Sequence, residues 1–304
     1  MKRILNCFSS DFKKLSGKET VQSIQASEGR TVMAEVGSHF QPLYSDISNP
    51  EIATAFGADF LLLNLFDVDH PSVNGIDADG SHVIERLKEL TGRQIGINLE
   101  PVDIDSDAAE NLDNLPKGRQ ATDESLKKAK ELGIDFVCLT GNPKTGVTND
   151  EILSAIYRAD KVFGEDGFII AGKMHGAGVR GEAGQSIIDE KTIEQFIVAG
   201  ADVILIPSPG TVPGISIEEA RKWVTTIHKH DALAMLSIGT SQEGSDAATI
   251  RQIALQNKMV GADIHHIGDA GYTGIAIPEN IMDYSIAIRG KRHTIVRMAG
   301  SVNR

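Results

Sequence analysis

Residues 198–210 read VAGADVILIPSPG, and this stretch determines how the rest of the chain is interpreted. Gly200 suits the end of a helix, and Asp202 turns the chain into the apolar run that starts at residue 203. The same step recurs as GAD at 57–59, GID at 133–135 and GAD at 261–263. Four copies of one helix-to-strand joint predict a repeating unit of strand and helix.

Eight short apolar runs are each followed by a polar stretch marked by glycine or proline and then by a helical pattern. They lie at residues 31–37, 60–66, 94–100, 135–141, 168–174, 203–209, 233–239 and 263–269. Their starts are about 33 residues apart, which is the length that a strand, two loops and a crossover helix require. The pattern predicts an α/β fold, a single (β/α)8 TIM barrel over residues 31–277.

An open, doubly wound sheet is the alternative fold. Such a sheet normally has fewer units and a glycine-rich dinucleotide fingerprint after its first strand. The corresponding turn here reads GSHFQPLYSD, which lacks GxGxxG. The barrel is therefore favoured.

The two ends of the chain differ from the barrel units. Residues 1–30 predict N-terminal capping helices, because DFKKLSGKETVQSIQASEG has a weak 3.6-residue period and ends on glycine. Residues 278–304 predict a C-terminal helix and a basic tail, with five Lys or Arg from Arg289 onward and no acid. A solvated closing helix, a subunit contact and an anion-binding arm are the alternatives for this tail.

The composition is that of a globular protein, with 304 residues of which 41% are hydrophobic. Its net charge of −12 repels phosphate backbones and anionic membranes, so no nucleic acid and no membrane is expected as a partner. No apolar run reaches the roughly 20 residues of a membrane span, and the first residues lack a signal-peptide core. Cys7 and Cys138 predict no disulfide framework. We expect a cytoplasmic protein with reduced thiols.

The turns after strands seven and eight read SIGTSQEGSD (237–246) and HHIGDAGYTG (265–274). Catalytic groups of barrels lie at the C-terminal ends of strands, and these two loops commonly bind phosphate. Small residues there leave backbone N–H groups uncovered. The candidate anion-binding residues are Gly239, Thr240, Ser241, Gly268, Asp269 and Gly271. Plain turn chemistry is the alternative, and Asp269 would then cap the last helix.

Lys173 and His175 follow the fifth strand in AGKMHGAG, two residues apart and therefore on one face near the rim. Lys173 is a candidate for a Schiff base, for stabilising an enolate, or for a structural ion pair. His175 is a candidate proton carrier, because its unperturbed pKa of about 6.5 lies near working pH. A rim histidine with a structural role is the alternative.

Strands one to three end with oxygen-bearing side chains. These are Glu35, Asn64, Asp67, Asn98 and Glu100. Converging carboxylates require a cation or a proton between them, so Glu35, Asp67 and Glu100 form a candidate Mg²⁺ site. Glu35 and Glu100 are also candidate catalytic bases, and Lys173 is the alternative partner for these acids. Mg²⁺ is the one candidate cofactor.

The loop HGAGVRGEAGQSIIDE at 175–190 contains four glycines and Arg180. Such a loop suits a flap that closes over an anionic ligand. An exposed loop without function is the alternative.

AGKMHGAG, VAGADVILIPSPGTVPG and SIGTSQEGSD together resemble phosphate-binding barrels of the phosphoenolpyruvate mutase and isocitrate lyase group. An uncharacterised bacterial barrel family of the phosphonomutase-like kind shows the same resemblance. It implies a barrel, a Mg²⁺ site near FDVDHPSVNG and a mobile catalytic loop. That loop bears a reactive cysteine in the group, whereas residues 175–190 contain none. GADFLLLNLF also resembles BtpA-type barrels, which implies no particular reaction.

The sequence therefore predicts a cytosolic enzyme, a lyase or isomerase that acts on a small phosphorylated or carboxylated metabolite through an enolate-like intermediate. Lys173 would stabilise the negative charge, and His175 would move a proton. Arg180, Asn64, Asn98 and the two turns would bind the small anionic metabolite. A ligand-binding or regulatory barrel without turnover is the alternative. We expect a homo-oligomer.

Overall fold

The protein is described from a computed structural model, which covers residues 1–102, 115–141, 145–176 and 184–304. Eight parallel strands form a closed barrel in chain order, and the last strand pairs with the first. They are β1 Thr31–Gly37, β2 Phe60–Asn64, β3 Gln94–Leu99, β4 Phe136–Leu139, β5 Phe168–Gly172, β6 Val203–Pro207, β7 Leu233–Ile238 and β8 Ile264–Ile267. The predicted (β/α)8 barrel is confirmed, and every strand lies inside its predicted apolar run.

Helices precede, separate and follow the strands. They are α1 Ser9–Phe12, α2 Gly17–Gln25, α3 Asn49–Ala55, α4 Val83–Thr91, α5 Asp123–Glu131, α6 Asn149–Phe163, α7 Glu190–Val198, α8 Ile217–Lys229, α9 Ala247–Val260 and α10 Pro278–Ala299. Most begin at a side-chain cap, as where the Thr148 hydroxyl accepts the N–H of Glu151 at the start of α6. The C-terminal helical extension is confirmed as α10, which is kinked at Gly290.

The four GAD or GID joints share one hydrogen-bond arrangement. In each, an oxygen of the joint aspartate accepts the backbone N–H of the second residue of the preceding strand. The pairs are Asp59 with Val32 at 2.8 Å, Asp135 with Ile95 at 2.8 Å, Asp202 with Ile169 at 2.9 Å and Asp263 with Ala234 at 2.8 Å. The aspartates therefore connect β1 to β2, β3 to β4, β5 to β6 and β7 to β8 at the N-terminal end of the barrel.

The lower interior of the barrel is apolar. The rings of Phe136 and Phe168 stack with their centroids 4.6 Å apart, and Phe60 meets Phe168 edge to face. Phe12 of α1 packs edge to face on Phe60 at 5.8 Å, so the N-terminal segment closes this end of the barrel. Inward positions nearer the C-terminal ends of the strands are polar, which makes that end the candidate for a functional site.

The basic C-terminal segment is only partly solvated. Arg289 and Arg297 are buried, and both guanidinium groups contact the carboxylate of Asp59. Lys291 and Arg292 are exposed. The segment is therefore bound to the floor of the barrel through two of its five cations. Within the described ranges, every helix is too short or too polar to cross a lipid bilayer.

Candidate functional site

A cavity of about 970 Å³ opens at the C-terminal ends of the strands. Most of the predicted site residues line it. These are Glu35, Asn64, Asn98, His175, Gly239, Thr240, Ser241, Gly268, Asp269 and Gly271. Lys173, Asp67 and Glu100 are not among its lining residues, and Arg180 lies outside the described residues.

A chain of polar side chains crosses the barrel beneath this cavity. Asn98 Nδ2 lies 2.5 Å from Glu35 Oε1 and 3.2 Å from Asn64 Oδ1. Asn64 Nδ2 in turn donates to Asp269 Oδ2 at 3.0 Å. These four residues come from four different strands or strand ends, so only the closed barrel brings them together.

The chain continues on the other side of Glu35. Glu35 Oε2 lies 3.4 Å from His266 Nε2, and His266 Nδ1 is 2.7 Å from the hydroxyl of Ser237. His266 and Ser237 are fully buried. Glu35 thus accepts a hydrogen bond from the Asn98 amide on one side and lies within ion-pair distance of the His266 imidazole on the other.

Two carboxyl groups at the cavity hold protons more tightly than usual. Burial raises the pKa of Asp269 to about 6, and the nearby charge of Glu35 adds to this effect. Burial also raises the pKa of Glu243, again with a contribution from Glu35. A carboxyl that titrates near neutral pH is suited to general acid–base catalysis.

The end of β5 supplies the opposite charge. Burial lowers the pKa of Lys173 to about 8. Burial also lowers the pKa of His175, and the charge of Lys173 lowers it further, so the two groups interact electrostatically. The charges of Glu35 and Glu100 oppose this shift at His175. The cavity therefore has a carboxyl side at β1 and β8, and its β5 side is formed by His175 with the charge of Lys173 nearby.

Three buried polar atoms at the cavity have no hydrogen-bond partner among the described residues. They are Asn98 Oδ1, Thr140 Oγ1 and Glu243 Oε2. Each belongs to a residue that lines the cavity and is at most 5% exposed. Buried polar atoms in native proteins are nearly always paired, so a cluster of unpaired atoms at a cavity favours a ligand with hydrogen-bonding groups.

The turn after β7 differs from the predicted open anion site. The Thr240 hydroxyl lies 2.6 Å from the Thr211 carbonyl and 2.7 Å from Gln242 Oε1, so protein acceptors already take its proton. Burial raises the pKa of the Glu243 carboxyl, and backbone N–H groups of the turn that donate to it oppose this rise. Ser241 has a φ of 80°, a strained value for a residue with a side chain. A ligand anion here would have to compete with Glu243.

The turn after β8 approaches its neighbours closely. A Cβ at position 268 would lie 2.9 Å from the carbonyl oxygen of Ile238, so only glycine fits there without a shift. Asp269 Oδ1 accepts the N–H of Gly271 at 2.9 Å. The other oxygen of Asp269 accepts from Asn64, and α10 begins without a side-chain cap, so Asp269 does not cap the last helix.

The predicted Mg²⁺ ligands are not brought together. Glu100 forms a 2.6 Å ion pair with Arg119, and Asp67 Oδ1 accepts the N–H of Asp69 at 2.8 Å. Across the described ranges, no cluster of three or more His, Cys, Asp or Glu side chains has metal-binding geometry. The described donor set therefore does not fit the proposed ion.

Sequence reasoning did not assign a role to Ser237, Glu243 or His266. Ser237 and Glu243 lie in the stretch SIGTSQEGSD, in which only the small turn residues gave a signal for anion binding. His266 is adjacent to His265, and strand alternation requires the two to face opposite sides. Placing His266 in the same interior layer as Glu35 would have identified it.

The comparisons with known proteins agree with the barrel. The chain is similar to the carboxyl transferase domain of pyruvate carboxylase from Rhizobium etli, solved with pyruvate (TM-score 0.55, 11% identity, 98% of this chain and 52% of that one). The same domain solved with 3-bromopyruvate gives a TM-score of 0.53 at 13% identity, over 97% of this chain and 53% of that one. The chain thus spans about half the length of those two proteins.

Thiamine phosphate pyrophosphorylase from Pyrococcus furiosus is also similar, with a TM-score of 0.48, 12% identity and coverage of 86% of this chain and 96% of that one. Likeness at such low identity concerns the fold alone. No curated protein matches the chain. The model of the family described as Domain of unknown function (DUF7916) matches residues 5–304, and the protein belongs to that family.

Proposed function

We propose that this protein is an enzyme that acts on a small phosphorylated or carboxylated metabolite in the cavity at the C-terminal end of the barrel. The reaction is of the lyase or isomerase type and passes through an enolate-like intermediate. The observation that supports this most is the group of unpaired buried atoms, Asn98 Oδ1, Thr140 Oγ1 and Glu243 Oε2, beside the carboxyl of Asp269. A bound substrate would supply the missing partners through its hydroxyl groups.

The charge distribution of the cavity suits proton transfer next to a carbonyl. Asp269, with a pKa of about 6, takes the proton from carbon and leaves the electron pair on the carbonyl oxygen. The oxygen faces His175, whose N–H group stabilises the enolate, and the charge of Lys173 next to His175 adds to this from behind the cavity wall. Glu35, between Asn98 and His266, adds to the rise in the pKa of Asp269 that burial causes.

The same distribution indicates where the anionic group of the substrate binds. The turn after β7 presents the Glu243 carboxyl and an occupied Thr240 hydroxyl, which disfavour an anion. The β5 side presents His175, and the charge of Lys173 lies behind it. We therefore place the carboxylate or phosphate of the substrate near β5 and its reacting carbon near Asp269.

Hydrogen exchange tests this function without requiring the natural substrate. Small 2-oxoacids, starting with pyruvate, and small sugar phosphates are incubated with the protein in D₂O and followed by proton NMR. We expect loss of the signal of the C–H next to the carbonyl for at least one compound, and at least a 100-fold slower loss with Asp269→Asn. Asp77→Asn, which changes an exposed aspartate, is the matched control and should exchange like the wild type.

Two results would contradict the proposal. If compounds bind but no exchange or product is seen with any of them, the protein is a ligand-binding barrel without turnover. If borohydride reduction in the presence of pyruvate links the compound to Lys173, the lysine acts as a nucleophile and the electrostatic role is wrong.

We also propose that the protein is cytoplasmic and forms a homo-oligomer. Leu255 and Met259 of α9 are 50% and 60% exposed, which is unusual for neighbouring apolar side chains on one helix face. Light scattering at several protein concentrations measures the oligomeric state, and a monomer throughout would contradict the proposal.

A further inference from the structure

A second pocket, here called the floor pocket, lies at the N-terminal end of the barrel, opposite the cavity described above. Its volume is about 320 Å³, and residues 5–9, Arg93 and the end of α10 line it. Four of its lining side chains can be cationic, namely Arg93, Arg292, His293 and Arg297. Its other side is apolar, with Leu5, Phe8 and Val296.

The pocket borders a buried cluster with excess positive charge. Arg93, Arg289 and Arg297 are only 5–6% exposed, and Asp59 is fully buried among them. Arg289 Nη1 lies 2.6 Å from Asp59 Oδ2, and Arg297 Nε lies 2.7 Å from Asp59 Oδ1. One carboxylate thus faces two contacting guanidinium groups and a third nearby, which leaves two positive charges without a counterion.

Arg93 is the cation whose charge lacks a partner. Its Nε and Nη1 donate to the backbone carbonyls of Ala58 and Gly92 at 3.0 and 3.2 Å. Its guanidinium lies 5.6 Å from the centroid of the Phe12 ring. Within the described part of the chain, no carboxylate is within 4.0 Å of it and its Nη2 has no hydrogen-bond partner. A buried charge of this kind is costly unless an anion or ordered polar groups complete it.

The surroundings of His293 show the same excess of positive charge. Burial lowers the pKa of His293, and the charges of Arg292, Arg30, Arg289 and Arg3 lower it further. Two acids of the N-terminal segment have cationic partners of their own, because Asp11 pairs with Lys2 and Glu28 pairs with Arg30. The floor pocket is therefore a positive region in a protein whose net charge is −12.

We propose that the floor pocket is a binding site for a phosphate group, either inorganic phosphate or the phosphate of a small metabolite. Arg93 contacts the phosphate oxygens from inside through Nη2, Arg292 closes the site from the solvent, and the apolar side accepts the organic part of a metabolite. Arg297 contributes its positive charge, because its Nη1 and Nη2 already donate to the carbonyls of Cys7 and Ile4. Guanidinium groups match phosphate geometry with paired donors, and a dianion would neutralise the two uncompensated charges. The site is independent of the function proposed for the opposite end of the barrel.

Thermal unfolding of the full chain tests this site, with inorganic phosphate compared against KCl at equal ionic strength. We expect phosphate to raise the unfolding midpoint by about 3 °C or more beyond KCl, because a ligand that binds only the folded state stabilises it. Arg292→Glu should abolish that difference and should itself raise the midpoint in KCl, since it supplies negative charge at the pocket. Titration calorimetry should show at least a tenfold weaker phosphate affinity for this variant.

Two control variants separate the floor pocket from other sites. Arg221→Glu makes the same charge change on the exposed face of α8 and should keep the full phosphate effect. His175→Gln, at the other end of the barrel, should keep it as well. Phenyl phosphate in place of phosphate distinguishes the two sources, because tighter binding of phenyl phosphate than of phosphate indicates an organic ligand.

Three outcomes would overturn the proposal. The first is an equal shift of the wild type in phosphate and KCl, which indicates charge screening without a site. The second is an undiminished phosphate effect in Arg292→Glu together with its loss in His175→Gln, which places the anion at the opposite end. The third is an equal loss in Arg292→Glu and Arg221→Glu, which indicates a response to net charge.

Discussion

Asn98 Nδ2 lies 2.5 Å from Glu35 Oε1, although the two residues belong to strands β3 and β1, which are separated by β2. The contact is possible because both side chains point into the barrel. The other oxygen of Glu35 faces His266. The carboxylate is therefore held in one orientation, and its charge acts on Asp269 from a fixed position.

Replacing Glu35 by glutamine should change the titration of Asp269 more than the stability of the barrel. Glutamine has nearly the same size and can still accept the hydrogen bond from Asn98. The charge of Glu35 raises the pKa of Asp269, so Glu35→Gln should lower that pKa. NMR titration of the Asp269 side chain measures it. An unchanged pKa would show that burial alone sets the value.

The rate of the proposed reaction should depend on pH through Asp269. Its pKa is raised to about 6, and a base must be ionised, so the rate should rise with pH from about 5 to 7 and then level off. In Asp269→Asn the rate should no longer rise between pH 5 and pH 7, and it should be at least 100-fold lower than in the wild type. Hydrogen exchange in D₂O between pH 5 and pH 8 measures both. A profile that is flat across pH 6 in the wild type would exclude Asp269 as the base.

The fold could be predicted from the sequence because its signals are local. Each strand is a continuous apolar run, and the GAD joint marks the entry to every second strand. The pairing of Asp59 with Arg289, 230 residues later, had no such signal. The basic tail was visible as a charge pattern, but its attachment to a buried carboxylate depends on how the barrel closes.

The site was predictable only in part for the same reason. Strand ends identified Glu35, Asn64, Asn98 and Asp269, since polar residues there are exceptional. The occupation of the turn after β7 by the Glu243 carboxyl depends on a side-chain orientation that spacing does not determine. Glu100 also has the right position in sequence, yet it pairs with Arg119 because a turn at 117–119 brings the arginine back to the strand end.

The aspartates of the GAD and GID joints differ in the charged groups around them. For this reason Asp202→Asn should stabilise the protein at alkaline pH. Among the described residues, no cation lies within 4.0 Å of Asp202, and burial raises its pKa to about 6, with a contribution from Asp160. A raised carboxyl pKa means stability that is present below about pH 4 and lost as pH rises through about 6. Asparagine removes this loss and can still accept the N–H of Ile169.

Denaturant unfolding at pH 4 and pH 8 measures this effect. At pH 8, Asp202→Asn should be more stable than the wild type by about 1–3 kcal/mol, and at pH 4 the two should be nearly equal. A loss of stability at pH 8 would contradict this. It would mean that the hydrogen bond from the Ile169 N–H to the ionised carboxylate stabilises the fold by more than burial of that charge destabilises it.

Asp59→Asn should have the opposite effect, although Asp59 occupies the same joint position. Its carboxylate is the counterion of Arg289 and Arg297, and removing it leaves three buried guanidinium groups without any negative charge. Removal of one partner from a buried ion pair costs about 3–5 kcal/mol, and we expect a loss in that range at pH 8. Denaturant unfolding under the conditions used for Asp202→Asn measures it. Because phosphate would bind beside the same cations, its stabilising effect should be larger in Asp59→Asn than in the wild type. An equal or smaller effect of phosphate in Asp59→Asn would mean that the charge of Asp59 does not influence anion binding in the floor pocket.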